Sequence, residues 1–113
     1  MQYTVEQIKD ILTEAKAAAY TAADEHENKY YPEGGWGACG FAWVNIWGIK
    51  GNTKLGRAMK AAGIDKDYTR AYSIWNPSKY PTQNVSTLEA GAQAAAAVFK
   101  RYGFTAYAGS RLD

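Results

Sequence analysis

Apolar residues between positions 5 and 22 return every three or four residues: Val5, Ile8, Ile11, Leu12, Ala15, Ala18, Ala19 and Ala22. That spacing is the signature of a helix with one buried face. Thr4-Val5-Glu6-Gln7 stands ahead of it as a capping box, in which the Thr4 hydroxyl accepts from the Gln7 backbone and the Gln7 side chain reaches back. The spacing predicts a helix over about residues 4–26, roughly 34 Å long at 1.5 Å per residue. Its first half offers a conventional apolar stripe and its second half only alanines, which suits close approach to a partner element. Tyr30, Tyr31, Pro32 and the pair Gly34-Gly35 then interrupt any helical pattern and mark residues 28–37 as a linker.

From Ala38 to Ile49 the period drops to two. Ala38, Gly40, Ala42, Val44 and Ile46 fall on one side of the expected strand; Cys39, Phe41, Trp43, Asn45 and Trp47 fall on the other. The first side is small enough for a helix to lie on it, and the second is broad and aromatic. Gly48 to Gly51 turns the chain into a short helix opened by Asn52 or Thr53. That helix carries Leu55, Ala58, Met59 and Ala62 inward and closes at Gly63, with Ile64 placed to touch Met59 in a Schellman ending. Asp65-Lys66-Asp67 reads as a polar turn, and Thr69–Asn76 as a second strand stopped by Pro77. Ser86-Thr87-Leu88-Glu89 has capping-box spacing before a helix to about Tyr102, with Leu88, Gly91, Ala92, Ala95, Val98 and Phe99 along one side. Gly103 ends that helix, and Phe104–Ser110 forms a third strand.

The pattern predicts an α/β (α+β) protein with the order α-β-α-β-α-β. Its architecture is a small two-layer sandwich, a three- to four-stranded sheet with helices mainly on one face. Residues 1–113 are expected to form a single domain, with the N-terminal helix over 1–27, the linker over 28–37 and an α/β core over 38–113. Composition sharpens this picture. The hydrophobic fraction is 47%, yet 20 of its residues are alanine, nine tyrosine and four tryptophan. The apolar material is therefore either very small or very large with a polar handle. No apolar run reaches the roughly 18–20 residues of a membrane-spanning helix, and no basic-then-apolar leader opens the sequence.

Charge is unevenly placed under a formal net charge of +2. Residues 1–33 hold seven acidic side chains against three basic ones, whereas residues 34–113 hold ten basic against four acidic. A basic region can attract phosphate, and it can equally lie against the acidic helix of its own or a neighbouring chain. The segment Lys50-Gly51-Asn52-Thr53-Lys54-Leu55-Gly56-Arg57 is a glycine-bearing loop entering a helix. Lys50, Asn52, Thr53, Lys54 and Arg57 make it a candidate anion site, although the spacing is neither a Walker pattern nor G-x-G-x-x-G. A capped helix with solvated lysines explains the same residues.

Phe41, Trp43, Trp47, Tyr72 and Trp75, with Trp36 nearby and Lys50, Arg70 and Lys79 interleaved, form a candidate binding face. It has three readings: an oligomer or protein interface, internal core, or a stacking platform for nucleic acid or a nucleotide. Ala38-Cys39-Gly40, following Gly35-Trp36-Gly37, resembles the nucleophile segment of papain-like proteases. The single imidazole, His26, lies upstream on the first helix rather than far downstream, and plain packing accounts for a lone cysteine. A lone Cys39 and His26 supply no zinc cluster and no internal disulfide, and a free thiol fits a reducing cytoplasm. Asp24, Glu25, His26 and Glu27 read as a solvated helix end rather than a metal site. The sequence calls for no catalytic residues, no metal and no cofactor.

Cys39-Gly-Phe-Ala-Trp-Val44, Thr53-Lys-Leu-Gly-Arg57, Glu89-Ala-Gly-Ala92 and the ending Ala106–Asp113 are similar to small uncharacterised proteins encoded by tailed bacteriophages, notably marine and cyanobacterial ones. The resemblance covers about residues 36–113. It implies an accessory protein or minor virion component made in a bacterial host's cytoplasm, and it carries no catalytic residues. The leading expectation is an accessory protein that acts by binding and self-association, as a homo-oligomer or with a host or phage protein, away from membranes. The alternative is a nucleic-acid or nucleotide/anion binder that uses the 50–60 loop-helix and the aromatic face. A hydrolase built on Cys39 comes third.

Overall fold

The structure is a computed structural model that describes residues 2–113. In chain order its elements are α1 (Val5–Tyr30), β1 (Gly40–Trp47), α2 (Lys54–Ala61), β2 (Asp65–Lys66), β3 (Tyr72–Trp75), α3 (Val85–Arg101) and β4 (Thr105–Leu112). The four strands form one sheet in the order β2-β3-β1-β4, antiparallel at every contact. The helices pack on one side of it, so the protein is an α+β two-layer sandwich, as the alternation and helical spacing predict.

Thr4 caps α1 through the expected box: the Gln7 backbone N–H donates to Thr4 Oγ1 at 3.1 Å and the Thr4 N–H donates to Gln7 Oε1 at 2.8 Å. Ile8, Ile11, Ala15, Ala19 and Ala23 make its buried stripe. Opposite them α3 turns Leu88, Gly91, Ala92, Ala95 and Phe99 inward. The two helices approach closely because their contact positions are small. A Cβ placed on Gly91 would sit 3.1 Å from the Ala19 carbonyl oxygen and 2.9 Å from Ser78 Cβ, so at this point of the contact only hydrogen fits without displacement. Beneath the helices lie Ala42, Val44 and Ile46 of β1, Ile74 of β3 and Ala106 of β4, all buried. α2 ends in the predicted Schellman turn, with Ile64 N–H bonded to Met59 O at 3.0 Å and Gly63 at a φ of +92°.

Boundaries differ from expectation at several elements: β1 is trimmed to Gly40–Trp47, β4 runs on to Leu112, and four further changes have local causes. α1 runs on to Tyr30 because Pro32 disfavours the helical conformation only from Tyr31 onward. Asp65-Lys66 is not a free turn but a short strand opposite Ser73 and Tyr72, which makes the element order α-β-α-β-β-α-β. β3 is correspondingly shorter, since Asp67 Oδ1 accepts from the Thr69 N–H at 2.8 Å and Arg70 takes a positive φ to turn the hairpin. α3 starts at Val85 with Asn84 as its N-cap, and the Ser86–Glu89 capping box does not form. Glu89 is drawn off by the Ser110 hydroxyl of β4.

Ala19 is fully buried beside Gly91, so Ala19→Leu inserts three heavy atoms where none fit. Overpacking of this kind costs about 1–3 kcal/mol. Urea and thermal unfolding should show that loss for Ala19→Leu and a change within about 0.5 kcal/mol for Ala17→Leu on the exposed side of the same helix.

Candidate functional site

The pleat of β1 sends Phe41, Trp43, Asn45 and Trp47 away from the helices. The directly paired residues of its neighbours, Trp75 and Ser73 on β3 and Thr105, Tyr107, Gly109 and Arg111 on β4, share that outer face. Trp43 and Trp75 are cross-strand partners whose rings stack with centroids 5.6 Å apart and 2° between planes. Phe41 leans on Trp75 at 5.5 Å, and the Arg111 guanidinium lies 5.4 Å from the Phe41 centroid. Gly109 is what lets the Trp43 indole lie across β4: a Cβ there would come within 2.5 Å of the indole nitrogen. With its amide turned to satisfy both neighbours, Asn45 accepts from Trp43 Nε1 at 3.3 Å and donates to Asp67 Oδ2 at 3.2 Å. The β2–β3 turn rises next to this row, and a shallow hollow of 290 Å³ is lined by Trp43, Asn45, Asp67, Trp75 and Arg111. Trp75 is 54% exposed. Among the described residues no helix covers this side of the sheet.

Tyr72 does not belong to the face. It is 3% exposed, points under the helices and donates its hydroxyl to Gly56 O at 3.2 Å, with burial and the nearby Asp65 charge pushing its phenol up from the ordinary range. Pairing decides its direction: Trp43 opposite Trp75 fixes Trp75 outward, so Tyr72, three residues earlier, points inward. Trp47 is outward but sits at the far end of β1. There it lines a 470 Å³ cavity with Lys50, Thr53 and Lys54, so the structure joins one residue of the aromatic set to three of the anion set. The other two are engaged locally: Arg57 donates to Asn52 O at 2.7 Å. Thr53 Oγ1 is likewise used, accepting from the Gly56 N–H at 3.0 Å and donating to Lys50 O at 2.6 Å.

A second polar centre ties the end of α1 to the start of α3. Asn84 Nδ2 and Thr87 Oγ1 both donate to Glu27 Oε1 at 2.9 Å, and Asn84 Oδ1 accepts from the Gly37 N–H at 2.8 Å. Thr87 has one hydroxyl proton and gives it to Glu27, so His26 Nδ1, 3.0 Å from Thr87 Oγ1, must be the donor in that contact. Tyr80 donates to Asp24 at 2.8 Å, and that hydrogen bond to a carboxylate pushes its phenol up to about 12. Asp24, His26 and Glu27 are thus half-buried and paired rather than a solvated helix end. No local sequence signal marks this network, because its bonded partners stand 47 to 61 residues apart.

Cys39 and Trp36 border a 630 Å³ cleft beside this network, together with Glu27, Tyr80, Thr82 and Asn84. Trp36 is 91% exposed and stands apart from the sheet aromatics. Cys39 is half-exposed rather than core. Nδ1 of His26 is engaged with Thr87, and no base is hydrogen-bonded to the thiol among the described residues. Among the described residues no group of three His, Cys, Asp or Glu side chains is placed to hold a metal, and no helix is long and apolar enough to cross a membrane. No protein family, curated protein or solved structure matches the chain.

Burial pushes the Glu27 carboxyl up, but hydrogen bonds from Asn84, Thr82 and Thr87 and the field of His26 outweigh it and hold the group below its ordinary 4.5. The Tyr102 hydroxyl, and Arg101 beside it, do the same to Glu14. A carboxylate depressed by folding stabilises above its unfolded value and stops doing so as pH falls through the lower folded value. Stability should therefore decline on acidification below about pH 4.5. Glu27→Gln should lower stability at pH 7 by about 1 kcal/mol and flatten that decline, as read by urea melts between pH 3 and pH 7.

Proposed function

We propose that the protein acts by binding and self-association, with the outer face of the sheet as its contact surface and no catalytic step. The observation that carries this reading is the uncovered row of Phe41, Trp43, Trp75, Tyr107 and Trp47 on one side of the sheet. An antiparallel sheet readily faces water on one side, but its exposed side then alternates to polar residues. Here it carries aromatics of about 150–250 Å² each, toward the roughly 800 Å² that a stable protein interface buries per partner.

The state of the ring faces favours a protein over a nucleic acid. A base-stacking platform needs open ring faces. Trp43 lies between Trp75 and Gly109, and Phe41 between Trp75 and Arg111, so the two β1 rings at the centre of the row offer edges rather than open faces. The resemblance to tailed-phage proteins supplies the setting, an accessory factor made in a bacterial host. The juxtaposition of Trp47 with Lys50 and Lys54 supports a second reading, an aromatic anion such as a nucleotide held at that end of the sheet.

Sedimentation at micromolar concentration should give a mass above that of one chain. Trp75→Glu should weaken this association at least tenfold, since a central tryptophan commonly contributes 2 kcal/mol or more. A strict monomer at every concentration would remove the reading. For the second reading, labelled single-stranded DNA and ATP at low salt should be bound, and Lys50→Glu with Lys54→Glu should abolish it.

A further inference from the structure

The two edges of the sheet are not alike. β2, at one edge, is two residues long and carries Asp65 and Lys66, a short charged strand of the kind that discourages further pairing. β4, at the other, runs eight residues with no proline and pairs with β1 in unbroken register from Gly40↔Leu112 to Trp47↔Thr105.

Backbone direction on β4 follows from two hydrogen bonds. Asn76 N–H donates to Ala42 O at 2.9 Å, so the even residues of β1 direct their backbone groups toward β3. Asp113 N–H donates to Cys39 O at 3.0 Å, so the odd residues of β1 and β4 face each other. The even residues of β4, Ala106, Ala108, Ser110 and Leu112, therefore turn N–H and C=O away from the sheet. Among the described residues none of these groups has a backbone partner. Ala106 is fully buried, which leaves the open stretch at Ala108–Leu112.

We infer that β4 pairs antiparallel over Tyr107–Arg111 with the same residues of a second copy, centred on Gly109, and joins two four-stranded sheets into one of eight strands. The inference rests on the self-association proposed above and adds a contact at the sheet edge to the one on its face. A second copy fits because the strand complements itself about Gly109. In that register Ala108 and Ser110 exchange their backbone hydrogen bonds with Ser110 and Ala108 of the second copy. On the outer face Tyr107 then stands opposite Arg111 of the second copy, and Arg111 opposite its Tyr107, a cation over an aromatic ring at both ends of the two-fold. The Tyr107 ring already takes a cation in this way, with Lys100 Nζ 5.0 Å from its centroid. Glycine at the centre leaves no side chain between the strands at the axis.

Two variants test the inference. Ala108→Pro removes an outward N–H with no internal partner and is tolerable on an edge strand, so circular dichroism should stay native while sedimentation shows assembly reduced to the species held by the sheet face alone. Tyr107→Cys with Arg111→Cys, on a Cys39→Ser background, places two cysteines opposite each other across the two-fold. A non-hydrogen-bonded antiparallel pair has a Cα separation of about 4.5 Å, within disulfide range. Mild oxidation of the folded protein should yield a covalent dimer on a non-reducing gel. Unchanged sedimentation of Ala108→Pro, or no covalent dimer from the folded double-cysteine protein, overturns the edge contact. If Trp75→Glu dissociates the protein while Ala108→Pro does not, the edge contact falls and the face reading stands. If Ala108→Pro lowers the assembly and Trp75→Glu does not, the edge contact stands and the face reading falls.

Discussion

A strand has two faces, and β1 sends its volume to one of them. Ala42, Val44 and Ile46 go inward and Phe41, Trp43 and Trp47 outward, and most of the structure follows from that division. A small inner face lets α1 and α3 sit low on the sheet, which in turn requires the two helices to meet through Ala19 and Gly91 rather than through leucines. Larger side chains, among them Phe99, Met59, Ile64 and Ile46, complete the same buried core. Exchange the two faces of β1 by a one-residue slip and three large aromatics would meet a helix pair with no room for them, so the register is strongly specified.

Much of this was legible because it is local. The Thr4 capping box, the Gly63 Schellman turn and the two-residue alternation of β1 each lie within a few consecutive positions, and each took the predicted form. What escaped was non-local. Alternation alone puts Tyr72 and Trp75, three residues apart, on opposite sides of β3, so only one of them could share the aromatic face, and which one is set by the residue of β1 that stands opposite Trp75. The Ser86–Glu89 spacing is a sound local signal that lost to two distant partners: Glu27 engages Asn84 and Thr87 at the helix start, and Ser110 engages Glu89. β2 is too short to carry a pattern and exists only as the far side of the Asp67 turn. Of the candidate site, the aromatic row on β1 and Trp75 was readable from alternation, whereas the role of Gly109 beneath Trp43 needed the β1–β4 register.

The acidic helix finds its counterparts inside the chain in hydrogen-bond donors more than in the basic residues. Glu14 reaches Tyr102 and Arg101 at one end of α3, and Glu27 reaches Asn84 and Thr87 at the other, so two carboxylates fasten α1 along the length of α3. The one imidazole already gives its Nδ1 proton to Thr87, in a chain that ends on Glu27, and so serves to order the helix junction.

The same economy of internal contacts shapes the outer face. Trp75 could have been left to move in water, yet it stacks on Trp43, which lies on Gly109 and is tied through Asn45 to Asp67 in the neighbouring turn. Ordering a side chain at an interface costs roughly 0.5–1.5 kcal/mol each, a cost that mobile aromatics incur at the moment of binding. Here folding has already met it. An apolar surface whose rings already pack on one another would lose little entropy on being covered, which supports the contact proposed above. The sequence puts large rings on the open side of the sheet, and the structure packs Phe41, Trp43 and Trp75 against one another.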